Sequence, residues 1–195
     1  MKAEAVEDWT EWQLNYVHGL FVIWPPGPVR QTVNRLRQRY DPISQATIEA
    51  HITLTQPFLA RPSAADWARL AQIVAGFEPY ELYYGPIDTF FPNPVIYLAI
   101  HPQERVLALR QALHETGLFN LTLPYSEGFV PHMTIAEGRS GPDVDELMLA
   151  EIRSQAPRGT FLLTEIVHVA PDKDLHFEIK KRLKLAVPAD TSHSH

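Results

Sequence analysis

Seventeen prolines are spread over the 195 residues, and they limit the length of every element the chain can form. Proline has a fixed φ and no N–H to give, so it stops helices and stays out of inner strands. The chain therefore reads as many short elements. Leu14 to Trp24 reads as a first strand, stopped by Pro25-Pro26-Gly27-Pro28. Val29 to Tyr40 reads as a helix with Val33 and Leu36 on one face. Ile48 to Thr55 reads as a second strand, and Ser63 caps a helix that runs to Gly76. Tyr80 to Tyr84 and Val95 to Ile100 read as strands joined by a proline-rich loop. A helix from Gln103 to Thr116 follows, ended by Gly117. Phe129 to Ala136 is a strand and Asp143 to Gln155 a helix. Thr160 to Ala170 and Leu175 to Leu185 read as a closing hairpin turned at Pro171-Asp172-Lys173-Asp174. Two of the strands are each followed by a helix and then two strands, a duplication of element order rather than of residue identity.

Those two strands carry the same pattern. One reads His51-Ile52-Thr53-Leu54 and the other His132-Met133-Thr134-Ile135. In a strand, residues i and i+2 point to one face, roughly 6.5–7 Å apart at Cα. His51 and Thr53 would project together, with Ile52 and Leu54 in a core behind them; His132 and Thr134 repeat the arrangement. The chemistry suits a phosphodiester. A neutral imidazole can deprotonate a water or hydroxyl, and a protonated one can deliver a proton to a leaving oxygen. Threonine hydroxyls can donate to the non-bridging phosphate oxygens. The scheme needs neither metal nor cofactor.

The chain has nine histidines, so a chance His-x-Thr is unsurprising, and His114-Glu115-Thr116 is read as one. It lies at a helix end, where i and i+2 do not share a face, and it lacks the apolar alternation. Hydrophobic residues make up 45% and charged residues 21%, enough for the core of one sizeable domain. Without cysteine there is no disulfide, thiolate nucleophile or Cys-based zinc site, which suits a cytoplasmic location. No run is long enough to span a bilayer, so no membrane association is expected. A net charge of -6 argues against a grip on extended duplex nucleic acid, which favours basic surfaces. It leaves room for a small phosphate ester or an RNA end.

On the residues Ala50-His51-Ile52-Thr53-Leu54 and Pro131-His132-Met133-Thr134-Ile135, 81 positions apart, the chain resembles the two-histidine phosphoesterase superfamily. Within it, the similarity is to the 2'-5' RNA ligase and RNA 2',3'-cyclic phosphodiesterase group, over roughly Leu14 to Leu185. The resemblance implies an α+β fold: a bilobal, pseudo-twofold domain over 14–187 with two antiparallel sheets facing a central groove and helices outside. Residues 1–13 would be a peripheral extension and 188–195 a disordered tail. It implies His51 and His132 as acid and base, Thr53 and Thr134 as phosphate ligands, and a nucleotide or RNA-end substrate with a 2',3'-cyclic phosphate or 2'-5' linkage, bound by a monomer and serving RNA processing. Near-symmetry leaves the acid and base roles open, with the resemblance leaning to His132 as base. Two departures stand out: Glu137 where many relatives carry a basic residue, and the proline-broken Thr55-Gln56-Pro57-Phe58 after the first motif.

Tyr125 and Phe129, just before the second motif, are the best-placed aromatic residues for stacking a base. Arg30, Arg35, Arg37 and Arg39 would guide a phosphate or, more commonly for such a run, form a solvated helix face. His18 would either face the same cleft or pack in the first strand. A non-catalytic module of the same fold that holds a nucleotide or RNA end is the alternative; turnover separates the two.

Overall fold

Alternating burial along the two motif strands organises the molecule. Ile52, Leu54, Met133 and Ile135 are fully buried, while His51, Thr53, His132 and Thr134 between them keep partial exposure. The computed structural model describes residues 9–138 and 143–186. The proposed tail and residues 1–8 of the proposed extension lie outside the described residues. The elements are α1 (Glu11–Leu14), β1 (Leu20–Ile23), α2 (Gly27–Tyr40), α3 (Pro42–Thr47), β2 (Ile52–Thr53), α4 (Ala64–Ala75), β3 (Tyr80–Thr89), β4 (Val95–His101), α5 (Gln103–His114), β5 (His132–Glu137), α6 (Glu146–Arg153), β6 (Gly159–Leu163), β7 (Glu165–Pro171) and β8 (Phe177–Lys184).

The strands form two four-stranded sheets, in the orders β2-β1-β7-β8 and β5-β4-β3-β6, with every pairing antiparallel. Each motif strand is an edge strand, and β2 and β5 lie against one another where the sheets meet. The expected α+β bilobal architecture is thus the one observed. One core serves both lobes: Phe21 and Ile23 of the first sheet join Leu98 and Ile100 of the second, with Val33, Leu70, Leu109 and Ile152 from four helices. A second apolar cluster, Leu20, Val22, Val167 and Val169, lines the opposite face of the first sheet. This is the face that carries Thr53, since Val22 and Thr53 are register partners.

The structure corrects several boundaries. Leu14 to Trp24 is not one strand: α1 and a turn precede β1, and Gly19 makes the corner with φ of +74°. A Cβ there would lie 2.1 Å from the Val169 carbonyl oxygen, so only glycine fits. Regular pairing in the first motif strand is confined to Ile52–Thr53, because the Leu54 and Thr55 N–H groups both turn to the Phe21 carbonyl and the Thr55 hydroxyl accepts the Phe21 N–H. Thr160 to Ala170 is cut at Thr164: β6 pairs with β3 in the second sheet, while β7 pairs with β1 and β8 in the first. The helix after the second motif starts at Glu146 and not at Asp143, because Asp145 caps it by accepting the Met148 N–H at 2.9 Å. The expected order of motif strand, helix and two strands stands in both halves, as β2–α4–β3–β4 and β5–α6–β6–β7, but only in the first half do the two strands share a sheet.

Candidate active site

A polar stripe on α2 holds the run that leads into His51. Arg30, Asn34 and Arg37, at helical spacing i, i+4 and i+7, share one face. Arg30 pairs with the Glu49 carboxylate at 2.8 Å. The Asn34 side-chain oxygen accepts the Ala50 N–H at 2.8 Å, and Arg37 donates to the Ile48 carbonyl at 2.9 Å. His51 then donates its Nδ1–H to the carbonyl of Glu49, two residues earlier, at 2.8 Å. A carbonyl can only accept, so the bond fixes the tautomer and leaves Nε2 as the free nitrogen.

His132 repeats this device. Its Nδ1 donates to the carbonyl of Val130, again two residues earlier, at 2.7 Å. Its ring sits in an aromatic frame: Phe90 edge-on at 5.0 Å between centroids, Tyr97 at 5.2 Å and Phe129 at 6.0 Å. Phe90 and Tyr97 stack on each other at 4.2 Å. Tyr97 is the register partner of Thr134 on β4, and its hydroxyl bonds to Asp88. The Thr53 and Thr134 hydroxyls make no hydrogen bond to any described residue, and both residues are partly exposed beside their histidines.

The two histidines differ in their electrostatics. Burial depresses both pKa values. For His51 the fall reaches about 4, through burial first and then the nearby Arg37 charge, with the bond to Glu49 opposing and His132 adding to it. His132 feels burial, opposed by its bond to Val130. The charge of His132 reaches His51, so the site couples both rings.

Two buried arginines brace the lobes in opposite directions. Arg37, 2% exposed, follows β1 in the chain but donates to the Thr134 carbonyl on β5 at 2.9 Å, besides Ser44 at 3.0 Å. Arg110, 5% exposed, follows β4 but donates to the Leu54 carbonyl beyond β2 at 2.7 Å and to the Tyr125 carbonyl at 3.2 Å. Each helix thus grips the motif strand of the other lobe. Burial lowers the Arg110 pKa to about 10, still well above neutrality. Around Arg37, Asp41 caps α3 through Ser44 and accepts the Glu137 N–H at 2.9 Å. A one-residue register shift in β5 buries both Ile135 and Ala136 and brings Glu137 to Ser44, whose hydroxyl it accepts at 3.2 Å.

The arginine run of α2 therefore divides. Arg37 is neither solvated nor aimed at solvent; Arg39 pairs with Glu151, and Arg35 donates to Thr32 at 3.2 Å. His18 lies in the turn before β1, and its carbonyl accepts from the core residue His168 at 2.9 Å. His114 closes α5, and its Nε2 accepts the Gln56 N–H at 3.0 Å. Tyr125 is 60% exposed, at φ of +64°. A left-handed non-glycine residue costs on the order of 1–3 kcal/mol, and the Arg110 bond to its carbonyl holds it there. One side of the Phe129 ring is covered by the Arg110 guanidinium at 4.1 Å. Arg110 and Asn34 carried no signal in the sequence, because their partners are backbone groups distant in the chain. Among the described residues, no group of three or more His, Asp or Glu could hold a metal ion, and no helix is long and apolar enough to cross a membrane.

The model of the 2'-5' RNA ligase superfamily matches residues 25–175. The chain belongs to the 2'-5' RNA ligase superfamily. This superfamily member is 34% identical over 122 residues to a protein of Bacillus cereus (strain B4264) provisionally named a phosphoesterase, covering 61% of this chain and 69% of that protein. A similarly named protein of Bacillus anthracis (strain A0248) matches to the same extent, 34% over 122 residues, 61% of this chain and 69% of the relative. Among solved structures, E. coli LigT complexed with 3'-AMP aligns with a TM-score of 0.55 at 18% identity, over 86% of this chain and 97% of LigT. The protein TT0787 of Thermus thermophilus aligns with a TM-score of 0.57 at 18% identity, over 85% of this chain and 96% of its own. At that identity the two structures speak for the superfamily fold alone.

Proposed function

We propose that this protein is a metal-independent phosphodiesterase acting on a nucleotide or RNA end that carries a 2',3'-cyclic phosphate or a 2'-5' linkage. One observation carries the reading: both motif histidines fasten Nδ1 to the carbonyl two residues back, which frees both Nε2 atoms. Two preset imidazoles with unengaged threonine hydroxyls beside them suit in-line hydrolysis of a phosphodiester by general acid–base catalysis. Thr53 and Thr134 bind the non-bridging oxygens. Tyr125 offers a free face for a base, and Phe129 its edge beside His132. The nucleotide held by LigT in its complex supports a nucleotide-sized substrate. The acidic balance of the chain speaks against extended duplex. The reading includes a monomer that works in the cytoplasm on RNA processing.

The charges around the two rings favour one division of labour. Arg37 makes it costly for His51 to hold a proton, whereas His132 has no such neighbour. His51 therefore acts as base on the attacking water, and His132 protonates the leaving oxygen, the reverse of the assignment towards which the resemblance leans. The new P–O bond forms to water, the P–O bond to the leaving 2' or 3' oxygen breaks, and the proton passes from water to His51 while His132 loses one.

The deciding experiment is a product-resolved assay on 2',3'-cyclic nucleotides, ADP-ribose cyclic phosphate and RNA with a cyclic phosphate end, with and without EDTA. Turnover that persists in chelator and falls roughly 10²–10⁴-fold in His51→Ala and His132→Ala is expected. Tight nucleotide binding without turnover would instead favour the non-catalytic module.

A further inference from the structure

A cleft of about 520 Å³ opens between the outer face of α5 and the loop that leads to the second motif. That is within the size of small-molecule sites. It shares Phe129 with the frame around His132, so it adjoins the proposed reaction site. Its apolar lining is Leu107, Leu121 and Phe129. Its polar lining includes His114 and Arg110.

His114 is preset. The Gln56 N–H donates to its Nε2 at 3.0 Å, so the neutral ring must carry its proton on Nδ1. Nδ1 has no partner among the described residues, and burial with the neighbouring Arg110 charge keeps the ring neutral. A residue of the cleft lining thus has a ring N–H donor that no described residue takes up. Arg110 uses two of its nitrogens on carbonyls and has further N–H groups.

The facing loop is held more firmly than an exposed connection needs. Gln56 donates to the Pro124 carbonyl and to the Ser126 hydroxyl, both at 3.0 Å. Ser126 in turn donates to the Leu123 carbonyl at 2.7 Å. Yet this tied loop leaves Leu121 46% exposed over the cleft. A cleft of this volume has room for a nucleobase-sized ring, whose edge should carry acceptors for the two donors. At the rim Gln111 donates to Glu115 at 2.8 Å, which leaves the amide oxygen and the second carboxylate oxygen for a donor on the same ring.

We infer that this cleft is a nucleobase subsite, in which the base of the proposed substrate lies against Leu107, Leu121 and Phe129 and turns a ring-nitrogen or carbonyl acceptor to His114 and Arg110. The inference rests on the phosphodiesterase reading for its substrate and for the kinetic comparison, but not for the binding test. Two substrates separate the base from the reacting group: uridine 2',3'-cyclic phosphate, and 1-O-methylribose 2',3'-cyclic phosphate, which lacks a base. The wild type should prefer the uridine substrate in kcat/KM by roughly tenfold or more, the scale of one base-stacking contact. Leu121→Asp at an exposed position and Leu107→Trp, which fills the cleft, should each lower that ratio at least about fivefold. The ratio cancels a general loss of active protein. Independently of turnover, uridine without phosphate should shift the NMR resonances of residues 107–115 and 121–129 in the wild type, and not in Leu107→Trp. Shifts without turnover of any cyclic phosphate would uphold the subsite and overturn the phosphodiesterase reading. Turnover with an unchanged ratio and no uridine shifts would overturn the subsite and leave that reading standing. Neither turnover nor shifts would overturn both.

Discussion

The Arg37 guanidinium donates to the Thr134 carbonyl at 2.9 Å, a bond that spans 97 positions and joins the two lobes at the second motif. The same side chain reaches Ile48 at 2.9 Å, just ahead of the first. A single buried charge thus ties the second motif strand to the segment ahead of the first, and adds to burial in keeping His51 neutral.

Arg37→Met should remove both effects. Three carbonyls lose their donor, and Asp41 and Glu137 lose the cation beside them. We expect a loss of roughly 3–5 kcal/mol of stability, as when one partner of a buried charged network is removed. Denaturant unfolding measures it. The His51 pKa, followed by NMR, should rise towards the ordinary histidine value, although burial, the larger cause, keeps it below. An unmoved His51 titration in a folded variant would count against that contribution.

Thr53→Val and Thr134→Val keep shape and remove a donor. Each should cost roughly 2–4 kcal/mol of transition-state stabilisation, read as kcat/KM. The melting temperature should hardly change, because neither hydroxyl has a partner among the described residues. A normal kcat/KM in both would end their assignment as phosphate ligands.

The free-enzyme pH profile should be a bell displaced to the acid side. Under the proposed division of roles, activity needs His51 without its proton and His132 with one. His51 loses its proton above about 4, and His132 holds one only below the ordinary 6.5. The maximum in kcat/KM should therefore fall between these limits, with kcat displaced to higher pH because a bound phosphate anion favours protonated imidazole. Residual activity in His51→Ala should lack the acid limb, and that in His132→Ala the alkaline limb. A kcat/KM that climbs steadily through pH 8 would contradict the assignment.

Acid should weaken the fold itself. The unfolded chain protonates His51 and His114 near 6.5, whereas in the native state both resist until about 4. Between those values the unfolded state binds more protons, so stability falls as pH falls, and the loss is complete below about 4. With one pKa unit worth about 1.4 kcal/mol, the fall from 6.5 to about 4 at both rings amounts to roughly 7 kcal/mol at most, less for the part that solvent screens. Urea midpoints at pH 7, 5.5 and 4.5 should decline in that order, less steeply in His114→Asn.

What the sequence made legible was whatever depends on neighbours in the chain. The His-apolar-Thr-apolar alternation already told the partly exposed His51, Thr53, His132 and Thr134 from their buried apolar neighbours, because strand periodicity is local. The Ser63 cap and the Gly117 stop are equally local. Thr160 to Ala170 looked like one strand because its apolar run has no break at Thr164; which sheet each half joins is decided by β3 and β1, far away in the chain. Arg37 was hidden among exposed arginines of the same helix, since nothing local marks the one that points inward. Asn34 and Arg110 act on backbone groups, as Gln56 does at Pro124, and these leave no trace in residue identity.

The order in which the strands enter the sheets has a consequence for synthesis. Every strand of the second sheet comes from residues 80–163, but the first sheet needs β1 and β2 from one end of the chain and β7 and β8 from the other. On the ribosome, His132 can acquire its full setting while His51 still sits on an unfinished two-strand fragment with the Leu20 and Val22 face uncovered. The nascent chain thus carries a long-range closure that must wait for its last hairpin, a slow and aggregation-exposed step. Stop codons anywhere before β7 should yield insoluble product rather than a half-active lobe, a contrast that expression of a nested set of C-terminal truncations would reveal.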